Sequence, residues 1–89
     1  MKKLCIGYAV KRLRIEKGLK QLQLAKNAGI NQGYLSELEN CKKYPGGLII
    51  HKLARALDVK EQIIFDIAKN HESIDDDIKA LLDSDSFSA

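Results

Sequence analysis

The residues that most restrict this chain run from Gln21 to Asn40, QLQLAKNAGINQGYLSELEN. Apolar and small side chains recur there at three- and four-residue intervals, the period of one helix face, and Gly29 interrupts the pattern. The spacing predicts a helix over Gln21–Ala28, a tight turn, and a second helix over Gln32–Asn40, with Leu24, Ala25, Ile30, Leu35 and Leu38 facing inward between them. Two helices joined by so short a turn come close near the middle of the first, where a small side chain such as Ala25 is wanted. An abrupt helix end favours a residue in the left-handed conformation, which glycine adopts at least cost, and this accounts for Gly29. Asn31 is expected to cap the N-terminus of the second helix.

The flanking sequence extends the helical pattern in both directions. A first helix is predicted over Ile6–Lys17, with Ile6, Val10, Leu13 and Ala9 inward and Gly18 ending it. CKKYPGG (Cys41–Gly47) holds the only proline and a Gly-Gly pair, so it reads as a loop. Leu48, Ile49, Ile50, Leu53, Ala54 and Leu57 give a fourth helix, which ends at Asp58. VKEQIIFDIAKN gives a fifth, through Ile63, Ile64, Phe65, Ile67 and Ala68. With no strand pattern anywhere, the fold class is all-α: a compact five-helix domain with an additional C-terminal helix. That sixth helix carries Ile74, Ile78, Leu81 and Leu82 at helical spacing, and residues 84–89 should fray. Asp75, Asp76 and Asp77 near its start suit the positive end of a helix dipole better than a metal site. Its apolar stripe has two functional readings, packing against a second subunit or binding another protein.

Eighty-nine residues, 45% of them hydrophobic, supply one small core and no catalytic cleft of ordinary size, which implies a binding module. No apolar run approaches the roughly 20 residues of a membrane span, and LCIGYAV lacks a cleavage site, so the expected localisation is cytoplasmic. Cys5 and Cys41 form neither a disulfide framework nor a zinc spacing and are expected to be reduced, as packing or surface thiols, with a redox sensor as the alternative. His51 and His71 belong to no catalytic arrangement. No enzymatic activity, cofactor, metal or small-molecule substrate is expected. The charges segregate: residues 1–60 hold 13 Lys and Arg against four acids, a charge of +9, whereas residues 61–89 hold two Lys against eight acids, a charge of −6. The division predicted is a DNA-binding domain over residues 1–70 and an acidic helical extension over 71–89. On charge alone the basic part has two readings, a simply solvated basic surface or a partner in nucleic acid, where each phosphate contact releases condensed counterions.

From about Ile6 to Phe65 the chain resembles the lambda-repressor and Cro-like helix-turn-helix proteins, the XRE family. The resemblance rests on LRIEKGL (Leu13–Leu19), the Gln-x-x-Leu-Ala-x-x-Ala-Gly-Ile run from Gln21, the Leu-Ser-Glu-Leu-Glu-Asn run from Leu35, Pro45, and KLARALDV (Lys52–Val59), in order and at family spacing. It implies phosphate contacts at Gln21, Asn40 and Lys42, to which proximity adds Lys43. It also implies a structural ion pair between Glu39 and Arg14, locking the second helix of the motif onto the first helix of the chain. The chain departs from the family at Cys41, where a glycine usually follows the recognition helix.

In a helix-turn-helix, the first residues of the second helix enter the major groove. Gln32 is the leading base reader, because its amide pairs bidentately with adenine N6 and N7, a contact worth roughly 1–3 kcal/mol of discrimination. Ser36 and Glu37 lie one turn later, away from Leu35 and Leu38. Glu37 either accepts from cytosine N4, or excludes other bases, or is a solvent-facing helix former. Gly33 allows close approach of the backbone to DNA or is simply tolerated. Tyr34 contacts a phosphate or a thymine methyl, or lies on the protein surface. The leading expectation is a sequence-specific regulator of transcription, a repressor that binds double-stranded DNA as a homodimer on a palindromic operator, with a restriction-modification controller as one variant. The competing expectation is an antitoxin or adaptor that binds a protein partner through the acidic C-terminal segment.

Overall fold

A computed structural model describes residues 4–72, which form five helices and no strand. These are α1 (Ile6–Glu16), α2 (Gln21–Ala28), α3 (Gln32–Glu39), α4 (Gly47–Leu57) and α5 (Glu61–Glu72). The boundaries follow the sequence punctuation. Asn31 caps α3 by accepting from the N–H groups of Gly33 at 2.7 Å and Tyr34 at 3.3 Å. The Gln23 side chain accepts from the Lys20 N–H at 2.8 Å and fastens the start of α2. The expected sixth helix lies outside the described residues. No helix among those described is long and apolar enough to cross a membrane.

The inward stripes converge on one core. Ile6, Val10, Leu24, Leu35, Leu38 and Ile64 are almost completely buried, and Ala25 sits at 1% exposure at the α2 position where little room is left. Two apolar residues counted into helical stripes point elsewhere: Leu48 is 66% exposed and Ile63 41% exposed. Both stand just before a buried residue of the same run, Ile50 in α4 and Ile64 in α5, so the buried stripe is narrower than the apolar run.

The pairing of α1 with α3 sets up the rest of the molecule. Gly7, buried in α1, lies so close to the Leu38 carbonyl that any Cβ there would overlap the α3 backbone. A bulkier residue would force the two helices apart. This approach also overturns the expectation of two reduced cysteines. Cys5 lies two residues before Gly7 and Cys41 three after Leu38, so the helix contact brings their Cα atoms to 5.7 Å, and the two form a disulfide. Thirty-six residues of sequence separation carry no hint of that neighbourhood.

Four helix ends share one backbone device. Residues Gly18, Gly29, Cys41 and Asp58 all have positive φ, between 57° and 72°. At each, the next residue's N–H reaches back five positions: Leu19 to Arg14, Ile30 to Ala25, Lys42 to Glu37 and Val59 to Ala54, at 2.9–3.0 Å. This is the Schellman arrangement, which satisfies carbonyls that the helix leaves open.

Candidate nucleic-acid interface

At 100° per residue, Gln32, Ser36, Asn40, Gly33 and Glu37 cover an arc of about 140° on α3. Leu35, Leu38 and Glu39, on the other side, are buried, whereas Gln32, Gly33 and Asn40 are exposed and Ser36 and Glu37 half-buried. Eight residues make α3 about 12 Å long, comparable to the width of the major groove. The arc offers an amide at Gln32 and, one turn later, a hydroxyl and a carboxylate at the adjacent Ser36 and Glu37.

Behind this arc lies a continuous polar chain. Arg14 and Glu39 meet in a two-pronged pair, Nε to Oε2 at 2.8 Å and a second guanidinium nitrogen to Oε1 at 3.0 Å. The Glu39 side chain is only 2% exposed, and bidentate geometry is what makes burial of such a carboxylate tolerable. A third Arg14 nitrogen donates to the Leu19 carbonyl at 2.9 Å, which fixes the guanidinium against the turn before α2. Gln21 then donates to Glu39 Oε1 at 3.2 Å, and Gln32 donates to Gln21 Oε1 at 3.4 Å. The side chain at the tip of α3 is thereby linked through Gln21 to an ion pair in the protein interior. Residue identities alone did not point to this linkage. The only signal was that Gln21 and Gln32 open consecutive helices, and both amides can donate and accept at once.

The site residues named from the sequence fall into two groups. Gln21, Gln32, Gly33, Ser36, Glu37 and Asn40 lie on or beside one surface around α3. Asn40 also turns its amide back to the Ser36 carbonyl at 2.9 Å, extending the helix end by one side-chain bond. Tyr34 is half-buried and packs against the core cluster. The Lys43 ammonium lies 5.8 Å over its ring and 3.5 Å from Glu37 Oε1. Lys43 therefore folds back onto α3, and Glu37 carries its own counter-charge. Lys42 is exposed beside the disulfide. His51 is a surface residue whose Nδ1 lies 3.3 Å from Glu61 Oε2, a link between α4 and α5.

The comparisons with known proteins agree with this architecture. A family model described as helix-turn-helix matches residues 10–64. The chain is 42% identical over 59 residues to the uncharacterized HTH-type transcriptional regulator y4dJ of Sinorhizobium fredii, covering 66% of this chain and 75% of that one. It is 35% identical over 69 residues to the HTH-type transcriptional regulator SinR of Bacillus subtilis, covering 76% of this chain but only 60% of SinR. The N-terminal DNA binding domain of SinR superposes with a TM-score of 0.65 at 32% identity, over 70% of this chain and 91% of that domain. The restriction-modification controller protein C.AhdI of Aeromonas hydrophila superposes with a TM-score of 0.67 at 32% identity, over 70% of this chain and 94% of the controller. With the family model spanning more than half of its length and the motif residues in their expected structural places, this chain belongs to the helix-turn-helix family of the XRE, or Cro/C1, type.

Proposed function

We propose that the protein is a sequence-specific transcriptional regulator, a repressor that binds double-stranded DNA as a homodimer on a palindromic operator, with α3 in the major groove. The observation that carries this reading is the exposed polar arc of α3, braced from behind by the chain Arg14–Glu39–Gln21–Gln32. Bracing matters because a base-reading amide that is already oriented loses less freedom on binding. Gln32 spends one N–H on Gln21 and keeps its other N–H and its oxygen for adenine. Gln21 positions Gln32 while its own helix N-terminus meets a phosphate. Asn40 and Lys42 hold the backbone on the far side, Lys43 is shared between Glu37 and phosphate, and Ser36 and Gly33 lie between.

The N-terminal basic residues supply the salt-dependent part of the affinity. In this reading residues 1–70 make the DNA-binding domain and 71–89 an acidic extension to it. The relatives named as regulators and the DNA binding domain of SinR point the same way. Dimerisation follows from scale, because one helix of about 12 Å touches only a few base pairs, and two helices a turn of DNA apart double both contact and discrimination.

Selection from a random duplex library at about 150 mM salt, with native mass recorded on the winning site, tests this directly. An enriched inverted repeat carrying two chains is the expected result. Failure to enrich any sequence, with only weak salt-sensitive binding, rules the reading out. On the selected site, Gln32→Ala should relax preference at one base pair, whereas Lys42→Ala should weaken all sequences alike and lower the salt slope by about one unit.

A further inference from the structure

The disulfide sits at the edge of the interface just described, and no part of the DNA-binding reading uses it. Cys5 is the N-cap of α1, where its sulfur accepts from the Tyr8 N–H at 3.3 Å. Cys41 is exposed, has φ +61°, and joins α3 to Lys42 and Lys43. A shallow cleft lined by Leu4, Cys5, Cys41, Lys43 and Tyr44 lies beside the pair, with Cys5 half-buried and Cys41 exposed. The two sulfurs thus have different surroundings, one against a helix N-terminus and one on an exposed turn that continues into Lys42 and Lys43.

We propose that Cys5 and Cys41 form a reversible dithiol/disulfide site that exchanges with dithiol reductants and sets how firmly the exit of α3 holds DNA. The effect on DNA rests on the DNA-binding reading above. An incoming thiolate attacks the accessible Cys41 sulfur, and the S–S bond breaks toward Cys5. The Cys5 sulfur leaves as a thiolate facing the N–H groups at the start of α1, which stabilise its charge. The second thiol of the reductant then attacks the mixed disulfide, releasing Cys41 as a thiolate and the reductant as its cyclic disulfide. Two electrons pass to the protein, and the two protons of the reductant end on Cys5 and Cys41.

The structural consequence lies at Cys41. A non-glycine residue in the left-handed region is strained, and at Cys41 the cross-link to α1 adds a covalent restraint to the backbone bonds of the helix exit. Reduction frees the residue that orients Asn40, Lys42 and Lys43. The loop exit then samples other conformations, and the phosphate contacts have to be ordered at the moment of binding.

The test titrates the full chain with mixtures of reduced and oxidised dithiothreitol. Thiols are counted by maleimide alkylation and mass. Amide exchange is followed at Cys41 and Lys42, and DNA affinity is measured on the selected duplex. Both thiols should appear together in one two-electron step, the two amides should exchange faster in the reduced protein, and affinity should fall at least about fivefold. By reciprocity, bound DNA should shift the titration toward disulfide by the same factor. Cys5→Ser, which keeps an N-capping side chain, and Cys41→Gly should show no response to the reductant. Thiols alkylated in full after oxidation, unchanged exchange at Cys41 and Lys42, an affinity equal within twofold in both states, or a redox response surviving in either variant would each overturn the proposal. A chain that binds no DNA in either state sinks the DNA reading and with it the proposed effect on affinity, while thiol counting and amide exchange still decide the exchange site itself.

Discussion

The exits of α2 and α3 have the same backbone form and are held in different ways. After α2, Gly29 takes φ +72° and donates to Lys26 at 3.2 Å, and Ile30 reaches back to Ala25 at 2.9 Å. After α3, Cys41 takes φ +61° and donates to Leu38 at 3.0 Å, and Lys42 reaches back to Glu37 at 2.9 Å. At the first exit the residue type itself tolerates the conformation. At the second, a residue that does not favour it is tied to another helix by a covalent bond. One turn is a property of its local sequence, the other a property of the tertiary structure. The comparison teaches that a departure from a family pattern at a turn is worth reading as a question about what replaces the missing propensity.

This contrast can be broken at its strongest point first. Cys5→Ser removes the cross-link and keeps a capping side chain, so it should lower stability by about 3–4 kcal/mol relative to the oxidised protein, as expected for a loop of this length. Urea denaturation with and without reductant measures it, and the variant should match the reduced wild type. A variant as stable as the oxidised protein would show that the tie contributes nothing. Next in size is Glu39→Gln, which leaves Arg14 without its buried carboxylate at the base of the same exit. It should cost about 3 kcal/mol and release Gln21 and Gln32, so selectivity at the Gln32 base pair should fall together with stability.

The glycine exit should respond more weakly. A Cβ at Gly29 would meet nothing within 4 Å, so Gly29→Ala isolates the backbone cost at about 1–2 kcal/mol, read from the denaturation midpoint. A neutral result would mean that the turn relaxes to another form. The smallest effect sharpens the comparison from the other side. Under reducing conditions, Cys41→Gly should be about 1 kcal/mol more stable than Cys41→Ser, because glycine would then supply the conformation that the disulfide otherwise enforces.

The same distinction explains what was legible in the sequence. The five helices, their inward stripes and the caps at Asn31 and Gly29 were readable because each depends on residues within five positions of one another. The exposed arc of α3 was readable for the same reason, once Leu35 and Leu38 were placed inside. The Arg14–Glu39 pair was reached through the family resemblance, not through spacing. What stayed hidden depends on which surfaces meet. The closeness of Gly7 to Leu38, and with it the Cys5–Cys41 bond, follows from how two helices cross. The amide link from Gln21 to Glu39 spans 18 residues and arises from the same packing. Leu48 and Ile63 fit the helical spacing of α4 and α5, yet both are exposed, because the period of a helix does not fix how wide its buried face is.

If α3 enters the major groove as proposed, the contact between Lys43 and Glu37 would give the interface a property that neither residue has alone. A lysine that moves to a phosphate leaves its carboxylate bare near a polyanion, so the gain at the backbone is offset by repulsion in the groove. That repulsion is relieved where the facing base presents a hydrogen-bond donor, as cytosine does through N4. Gripping the backbone and testing the base become two halves of one exchange. In the proposed complex a sequence-blind contact would thereby acquire a dependence on sequence, and a matching site would hold the protein longer than other stretches of duplex.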